Sequence, residues 1–256
     1  MSGLLAVAVA GRGLVDPDEP VFHADDEAVV RGSAAFETLR VYAGRPFMLA
    51  RHVDRLRGSI AALALPPADD VEEIVALAVG ASDPDCVLRL YRSSRTLVAL
   101  TARLPPIPTE LRLRTLDVGA VPELLAGVKS TSYALAFAAR RDAQEHGADD
   151  VLFTASGTLL ECATANIWVR RGRTLQTPKL GPRVLPGITR EVVASLAPGA
   201  GYEVEETTVT LDGAEELFTS SSIMELVPVV DVDGTPIPRG EAAGTLQALL
   251  RKAALG

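Results

Sequence analysis

Apolar and polar positions along this chain follow two periods, and the switches between them mark its elements. Over residues 35–42 (AFETLRVY) the period is two, which predicts a strand with Phe36, Thr38 and Arg40 on one face and Glu37, Leu39 and Val41 on the other. The run from Tyr42 to Pro46 predicts a turn, with a second strand over 47–50. Val53, Leu56, Ile60 and Leu63 then recur at helical spacing, so a helix is expected over 52–65, with another over 71–79 and a strand over 87–91. Residues 107–121 are proline-bearing and mixed, and predict the junction between an N-terminal domain, 1–117, and a C-terminal one, 118–256. Beyond it, Lys129 opens the second half and is followed by an alanine-rich helical pattern to about Glu145, which His146-Gly147 closes because glycine suits the left-handed cap. Strands are expected over 151–154, 159–160 and 166–169, separated by Ser156-Gly157 and Arg171-Gly172. Pro186-Gly-Ile-Thr189 leads into a helix ending near Leu196, 203–209 alternates as a strand, and 217–222 is an apolar run ending in hydroxyls. Asp231-Val-Asp-Gly234 fits a hairpin turn better than a calcium loop, because the later ligands of such a loop are missing. The expected class is α+β, in two sub-domains.

Composition narrows the chemistry. The 256 residues are 48% hydrophobic and 23% charged, ordinary for a globular protein able to bury a real core. No apolar run is long enough to span a bilayer, and the apolar first ten residues lack the basic start of a secretory signal. The net charge of −8 offers no general attraction to nucleic acid or anionic lipid. An anionic ligand must therefore be held by a few placed groups. Two cysteines make no disulfide framework, and three scattered histidines show no metal-ligand spacing. A cytoplasmic protein without a metal site is the expectation.

Several residues suit one cofactor chemistry. A chain that uses pyridoxal phosphate needs a lysine for the Schiff base, an acid facing the pyridine nitrogen and an anion cup for the phosphate. The blocks AAFETLRVYAGRPFMLARHVDRL (34–56), VKSTSYALAFAARRDAQEHGADDVLF (128–153), LLECATANIWV (159–169), LPGITREVV (185–193) and ELFTSSSIMELVPVVDVDG (216–234) resemble, in order and spacing, the class IV aminotransferases. That family includes D-amino acid and branched-chain aminotransferases and aminodeoxychorismate lyase. The resemblance implies a smaller N-terminal α/β sandwich-like domain, a larger C-terminal β-barrel-like domain with helices, and a homodimer acting on amino acids and 2-keto acids.

Carried over by motif, Lys129 matches the Schiff-base lysine and Glu161 the acid facing the pyridine nitrogen. Arg55, Ile188, Thr189 and Ser222 match the phosphate site, with Ser221 a fainter candidate. Gly187 would allow close backbone approach at the helix start, where amides favour an anion. Substrate choice is less determined. D-amino acid aminotransferases usually carry an arginine and a histidine after the strand equivalent to 87–91. This chain has Arg89, Arg92 and Arg95 in a shortened segment without the histidine. Thr38 and Arg40 on the first strand are further substrate-side candidates. Arg31, before Gly32, either forks a substrate carboxylate or is a solvated loop residue. The resemblance points first to a D-amino acid transaminase. Aminodeoxychorismate lyase is the rival, on the ECATAN run and Thr38, and the branched-chain type comes third.

Overall fold

A computed structural model describes residues 3–119 and 123–256; the last two residues of the expected junction segment, Ala120 and Val121, lie outside them. The chain forms two compact units, and neither is continuous in sequence. The first takes residues 1–106 with Val128–Tyr133 and Leu255, and the second 107–127 with Ala134–Ala254 and Gly256.

The first unit contains β1 (Leu4–Val9), β2 (Gly13–Val15), α1 (Glu27–Arg31), β3 (Ala35–Tyr42), β4 (Arg45–Pro46), α2 (Leu49–Ala62), α3 (Val71–Gly80), β5 (Cys86–Arg92) and β6 (Leu97–Ala102). The strands form one sheet in the order β2-β1-β6-β5-β3-β4, every neighbour antiparallel. Leu39, Leu88, Leu90 and Ala99 on one face pack with Val53, Leu56 and Ile60 of α2 and Val71, Ile74 and Ala78 of α3. Each fully buried leucine contributes about 2 kcal/mol, which fixes the register of β3: a one-residue slip would send Leu39 and Val41 outward. The opposite face carries a smaller apolar group around Val7, Val9 and Val98.

Two expectations change here. Residues 47–50 are not a strand. Met48 takes φ +55° at the N-cap of α2, and the helix starts at Leu49, so the chain turns directly from β4 into it. Nor does Lys129 lead directly into the alanine-rich helix, which starts at Ala134 and ends at Glu145. Residues 128–133 run extended along β3: Ser130 bridges Ala35, Phe36 N–H donates to the Lys129 carbonyl, and Thr131 N–H donates to Ala34. A division of the chain at 117/118 thus parts Lys129 from the strand it bonds.

The second unit contains β7 (Leu111–Asp117), α4 (Ala134–Glu145), β8 (Asp150–Ala155), β9 (Thr158–Cys162), β10 (Asn166–Arg171), β11 (Thr174–Pro178), α5 (Ile188–Leu196), β12 (Glu203–Thr207), β13 (Glu216–Ser221), β14 (Glu225–Val232), β15 (Thr235–Pro236) and α6 (Ala242–Leu255). Strands β10-β13-β14-β7-β8-β9 follow one another, and β9 pairs back to β10, closing a barrel; β11 and β12 extend it from β10. The closing pair is Glu161 with Asn166. Ile167, Val169, Leu217, Val227, Leu113 and Leu152 share its core, while α4 lays Ala139 and Ala143 on Val151 and Phe153 of β8. The buried Glu216 accepts from the Ala242 and Ala243 amides and so caps α6. The α+β class and the barrel-like second domain expected from the sequence are what the chain adopts.

Candidate active site

In the first unit, the period of β3 separates two kinds of chemistry. Its even positions face away from α2 and α3. There Phe36 stacks on Tyr91 at 5.8 Å between ring centroids, and Tyr133 meets Phe36 edge-on at 5.3 Å. The Lys129 ammonium lies 4.6 Å from the centre of the Phe36 ring and donates to the Tyr133 hydroxyl at 3.3 Å. Its backbone is held from both sides, since Lys129 N–H donates to Ser59 Oγ (3.0 Å) while its carbonyl accepts from Phe36 N–H (3.0 Å). Thr38 follows Phe36 on the same face, directly opposite Arg89 on β5.

The other face of β3 holds a carboxylate where the pattern expects only apolar contact. Glu37 is 0% exposed and accepts three hydrogen bonds: Arg55 Nε at 2.7 Å, Arg55 Nη2 at 2.8 Å and His52 Nδ1 at 2.7 Å. His52, Arg55 and Ser59 lie one helical turn apart along α2. Burial opposes ionisation of Glu37, but the hydrogen bonds from Arg55 and His52 and the charge of Arg55 outweigh it and bring its pKa from 4.5 down to about 2. Burial pushes His52 below its ordinary 6.5 despite Glu37, so a neutral ring donates from Nδ1.

Both shifts are downward, so both make the native state weaker in acid. The unfolded chain takes up a proton at His52 below about pH 6.5, before the folded chain does. It takes one up at Glu37 below about pH 4.5, and the stability due to Glu37 is gone once pH falls through about 2. We expect the stability difference between the native protein and His52→Asn to narrow as pH falls from about 7 to about 5. A gap in denaturant midpoint that stays constant over that range would refute the neutral buried ring.

In the second unit, Glu161 and Asn166 face each other across the barrel closure. Glu161 Oε2 accepts from Asn166 Nδ2 (3.2 Å) and from the Leu185 amide (2.9 Å), and Asn166 Nδ2 also donates to the Leu185 carbonyl (3.0 Å). Arg140 steadies the loop between them, bonding Asp150 with a two-pronged grip (2.9 and 2.8 Å) and Thr164 Oγ1 (2.9 Å). Two residues after Leu185, Gly187 is the N-cap of α5 and supplies no side-chain cap. A Cβ at Gly187 would lie 1.9 Å from Asn166 Oδ1, so any larger residue would have to displace the asparagine side chain that bonds Glu161. The first amides of α5, from Ile188 and the buried Thr189, thus begin beside the asparagine that holds Glu161.

The sequence candidates sort accordingly. Lys129, Thr38 and Arg89 share one side of the first sheet, and Glu161, Gly187, Ile188 and Thr189 come together in the second unit. Arg55 is engaged by Glu37. Arg92 falls on the opposite side of β5 from Arg89, with Leu88 and Leu90, and donates to the Pro66 carbonyl at 2.7 Å. Arg40 lies 4.5 Å over the ring of Tyr42. Arg31 ends α1 with a largely solvated side chain 3.5 Å from Glu27. Ser221 uses its hydroxyl to accept Met224 N–H in the turn after β13, where Ser222 is half-buried. Sequence reasoning passed over Glu37, His52, Ser59, Tyr133 and Asn166. Glu37 left a signal, as the one charged side chain on the apolar face of β3.

An amine set among aromatic rings in the first unit, and in the second a carboxylate oriented by two N–H donors beside a helix start without a side-chain cap, are the kinds of group that pyridoxal phosphate requires. The comparisons agree. The family model described as amino-transferase class IV matches residues 34–232. A bifunctional aminodeoxychorismate lyase / D-amino acid transaminase of Mycobacterium tuberculosis is 28% identical over 93% of this chain and 94% of its own length. Among solved structures, the branched-chain aminotransferase of Thermoproteus uzoniensis with norvaline is similar with a TM-score of 0.90 at 26% identity, covering 99% of this chain and 96% of that one. An aminotransferase of Brucella abortus bound to pyridoxal phosphate gives a TM-score of 0.87 at 25% identity, over 99% of this chain and 100% of that one. Fold, site chemistry and family match converge: this chain belongs to the class IV aminotransferases, enzymes that work with pyridoxal phosphate.

Proposed function

We propose that the protein is a transaminase moving an amino group between an amino acid, first of all a D-amino acid, and a 2-keto acid. The observation that most supports this is the company of Lys129: an ammonium held beside Tyr133 over Phe36, with Thr38 and Arg89 paired further along the same strand face.

Pyridoxal phosphate, when bound, supplies the electron sink that makes a substrate Cα–H removable. The chain supplies the rest. Lys129 Nζ would hold the cofactor covalently and, when free, would serve as the base that carries a proton between the substrate Cα and the carbonyl carbon of the cofactor. Tyr133 limits where that amine can swing. Glu161 keeps a proton on the ring nitrogen. The amides of Ile188 and Thr189, the Thr189 and Ser222 hydroxyls and the Arg55 guanidinium are assigned to the phosphate. Arg89 and Thr38 are assigned to the substrate carboxylate, because a guanidinium with a neighbouring hydroxyl can bond both of its oxygens. Arg92 is not assigned, since its guanidinium serves a loop carbonyl. The Thr38–Arg89 pair also suits the lyase reading, in which a carboxylated cyclic substrate yields 4-aminobenzoate and pyruvate.

The purified protein, loaded with cofactor, is expected to lose its visible absorbance band on addition of D-alanine or D-glutamate and to regain it with a 2-keto acid. Loss with L-leucine alone would replace this reading by the branched-chain type. A band that no amino acid bleaches would favour the lyase. A cytoplasmic homodimer belongs to the same proposal, supported by large apolar side chains in solvent in the second unit, among them Leu124 and Phe137; light scattering that reports a monomer would remove that part.

A further inference from the structure

We infer that Glu37 is a positioning residue for the phosphate end of the cofactor, acting through Arg55. The inference rests on the proposed assignment of Arg55 to the phosphate and adds to it a residue with no direct contact of its own.

Glu37 is costly where it stands. A buried carboxylate on an apolar strand face loses its hydration, and replacing a buried ion pair by apolar residues is often neutral or stabilising. Packing alone therefore gives no reason for a glutamate between Ala35 and Leu39, both fully buried. What it achieves is geometric. Its two oxygens take the Nε and Nη2 edge of the Arg55 guanidinium at 2.7 and 2.8 Å. A guanidinium is planar, so fixing one edge fixes the plane and the direction in which the opposite edge points. His52 Nδ1, donating to Oε2 at 2.7 Å, keeps the carboxylate itself from rotating. A long side chain that would otherwise have to be ordered when an anion arrives is already ordered.

The frame also includes the lysine. Ser59, one turn beyond Arg55 on α2, accepts the Lys129 amide, and Phe36, the neighbour of Glu37 on β3, donates to the Lys129 carbonyl. The carboxylate that joins β3 to α2 thus joins the two elements that hold the lysine backbone.

Charge and geometry make opposite forecasts, which renders the idea testable. Glu37 offsets much of the charge of Arg55. If only charge mattered, Glu37→Gln would leave Arg55 more positive and tighten phosphate binding. If position matters, the same variant loosens it.

The experiment titrates cofactor-free protein with pyridoxal 5′-phosphate and, separately, with pyridoxal, following absorbance. Both bind Lys129 through the same carbonyl, so the ratio of their affinities isolates the phosphate. Glu37→Gln is expected to weaken pyridoxal phosphate by about tenfold to a hundredfold, by analogy with removal of the hydrogen-bond partner that orients a metal ligand, with pyridoxal changed far less. Glu37→Asp, which keeps the charge but is too short to reach both nitrogens, is expected to do the same and serves if the glutamine variant does not fold. In an Arg55→Gln background, Glu37→Asp should leave the ratio where Arg55→Gln alone put it. An unchanged or higher ratio in the folded Glu37 variants, while Arg55→Gln lowers it, overturns the inference and leaves Arg55 in place. A ratio that Arg55→Gln does not move overturns the assignment of Arg55 and the inference with it.

Discussion

Lys129→Ala is expected to lose turnover by at least about a thousandfold, because it removes the amine proposed to act both as covalent anchor and as proton carrier. The fold should survive. Lys129 is held by its backbone, through Ser59 Oγ and the Phe36 amide, and an alanine keeps both bonds. What goes is the ammonium over Phe36 and its bond to Tyr133, worth about 1 kcal/mol as a cation–π contact. The melting temperature should therefore move little while the activity disappears. Reduction of the loaded native protein with borohydride, followed by peptide mass analysis, should fix the cofactor on the peptide bearing Lys129 and fix none in the variant. Appreciable turnover in a folded Lys129→Ala protein, or a label on another lysine, would refute the mechanism.

The second large effect is expected at Glu161. Glutamine has the same shape, so its carbonyl oxygen can take over the bonds from the Leu185 amide and Asn166, and the barrel closure should hold. Its amide, however, cannot keep a proton on a ring nitrogen. On the proposed role of Glu161 the electron sink for removing the Cα proton is weakened, and kcat should fall by about a hundredfold, roughly 2.7 kcal/mol. Cofactor affinity and KM should change much less. Single-turnover measurement of the amino-donor half-reaction would separate these quantities. A Glu161→Gln protein with native kcat would leave this carboxylate without a role in the reaction.

The elements legible in the sequence were those whose pattern is set by a single face. Strand β3 was foreseen to the residue, α3 and β5 to within one residue at either end, and the Asp231–Gly234 turn as a hairpin, as β14 and β15 show. Strands β1 and β6 were passed over because their runs are apolar with little alternation to announce them, while β7 does alternate and was hidden by the prolines just before it, which marked the segment as a junction. Residues 128–133 misled for a different reason. Their alanine-rich continuation has helical propensity, but the hydrogen bonds of Ala34, Ala35 and Phe36 draw the segment out along β3, and no local pattern encodes a partner some 95 residues earlier. The candidate site divides in the same way. Lys129, Glu161 and Gly187 sit in distinctive motifs. Arg92 was grouped with Arg89 by proximity in sequence, yet three residues along a strand put them on opposite faces. Asn166 was invisible because its importance lies in what it touches: the acid on one side and, on the other, a glycine 21 positions ahead.

The short run from Val128 to Tyr133 sets a limit on recombination. The barrel requires 107–127 to be inherited with 134–254, because β7 is a stave between β14 and β8. The lysine requires 128–133 to be inherited with 1–106, where Ser59 and Phe36 hold it. No single crossover satisfies both. A chimera joined between residues 106 and 134 must inherit either a mismatched stave or a lysine seated on a foreign strand.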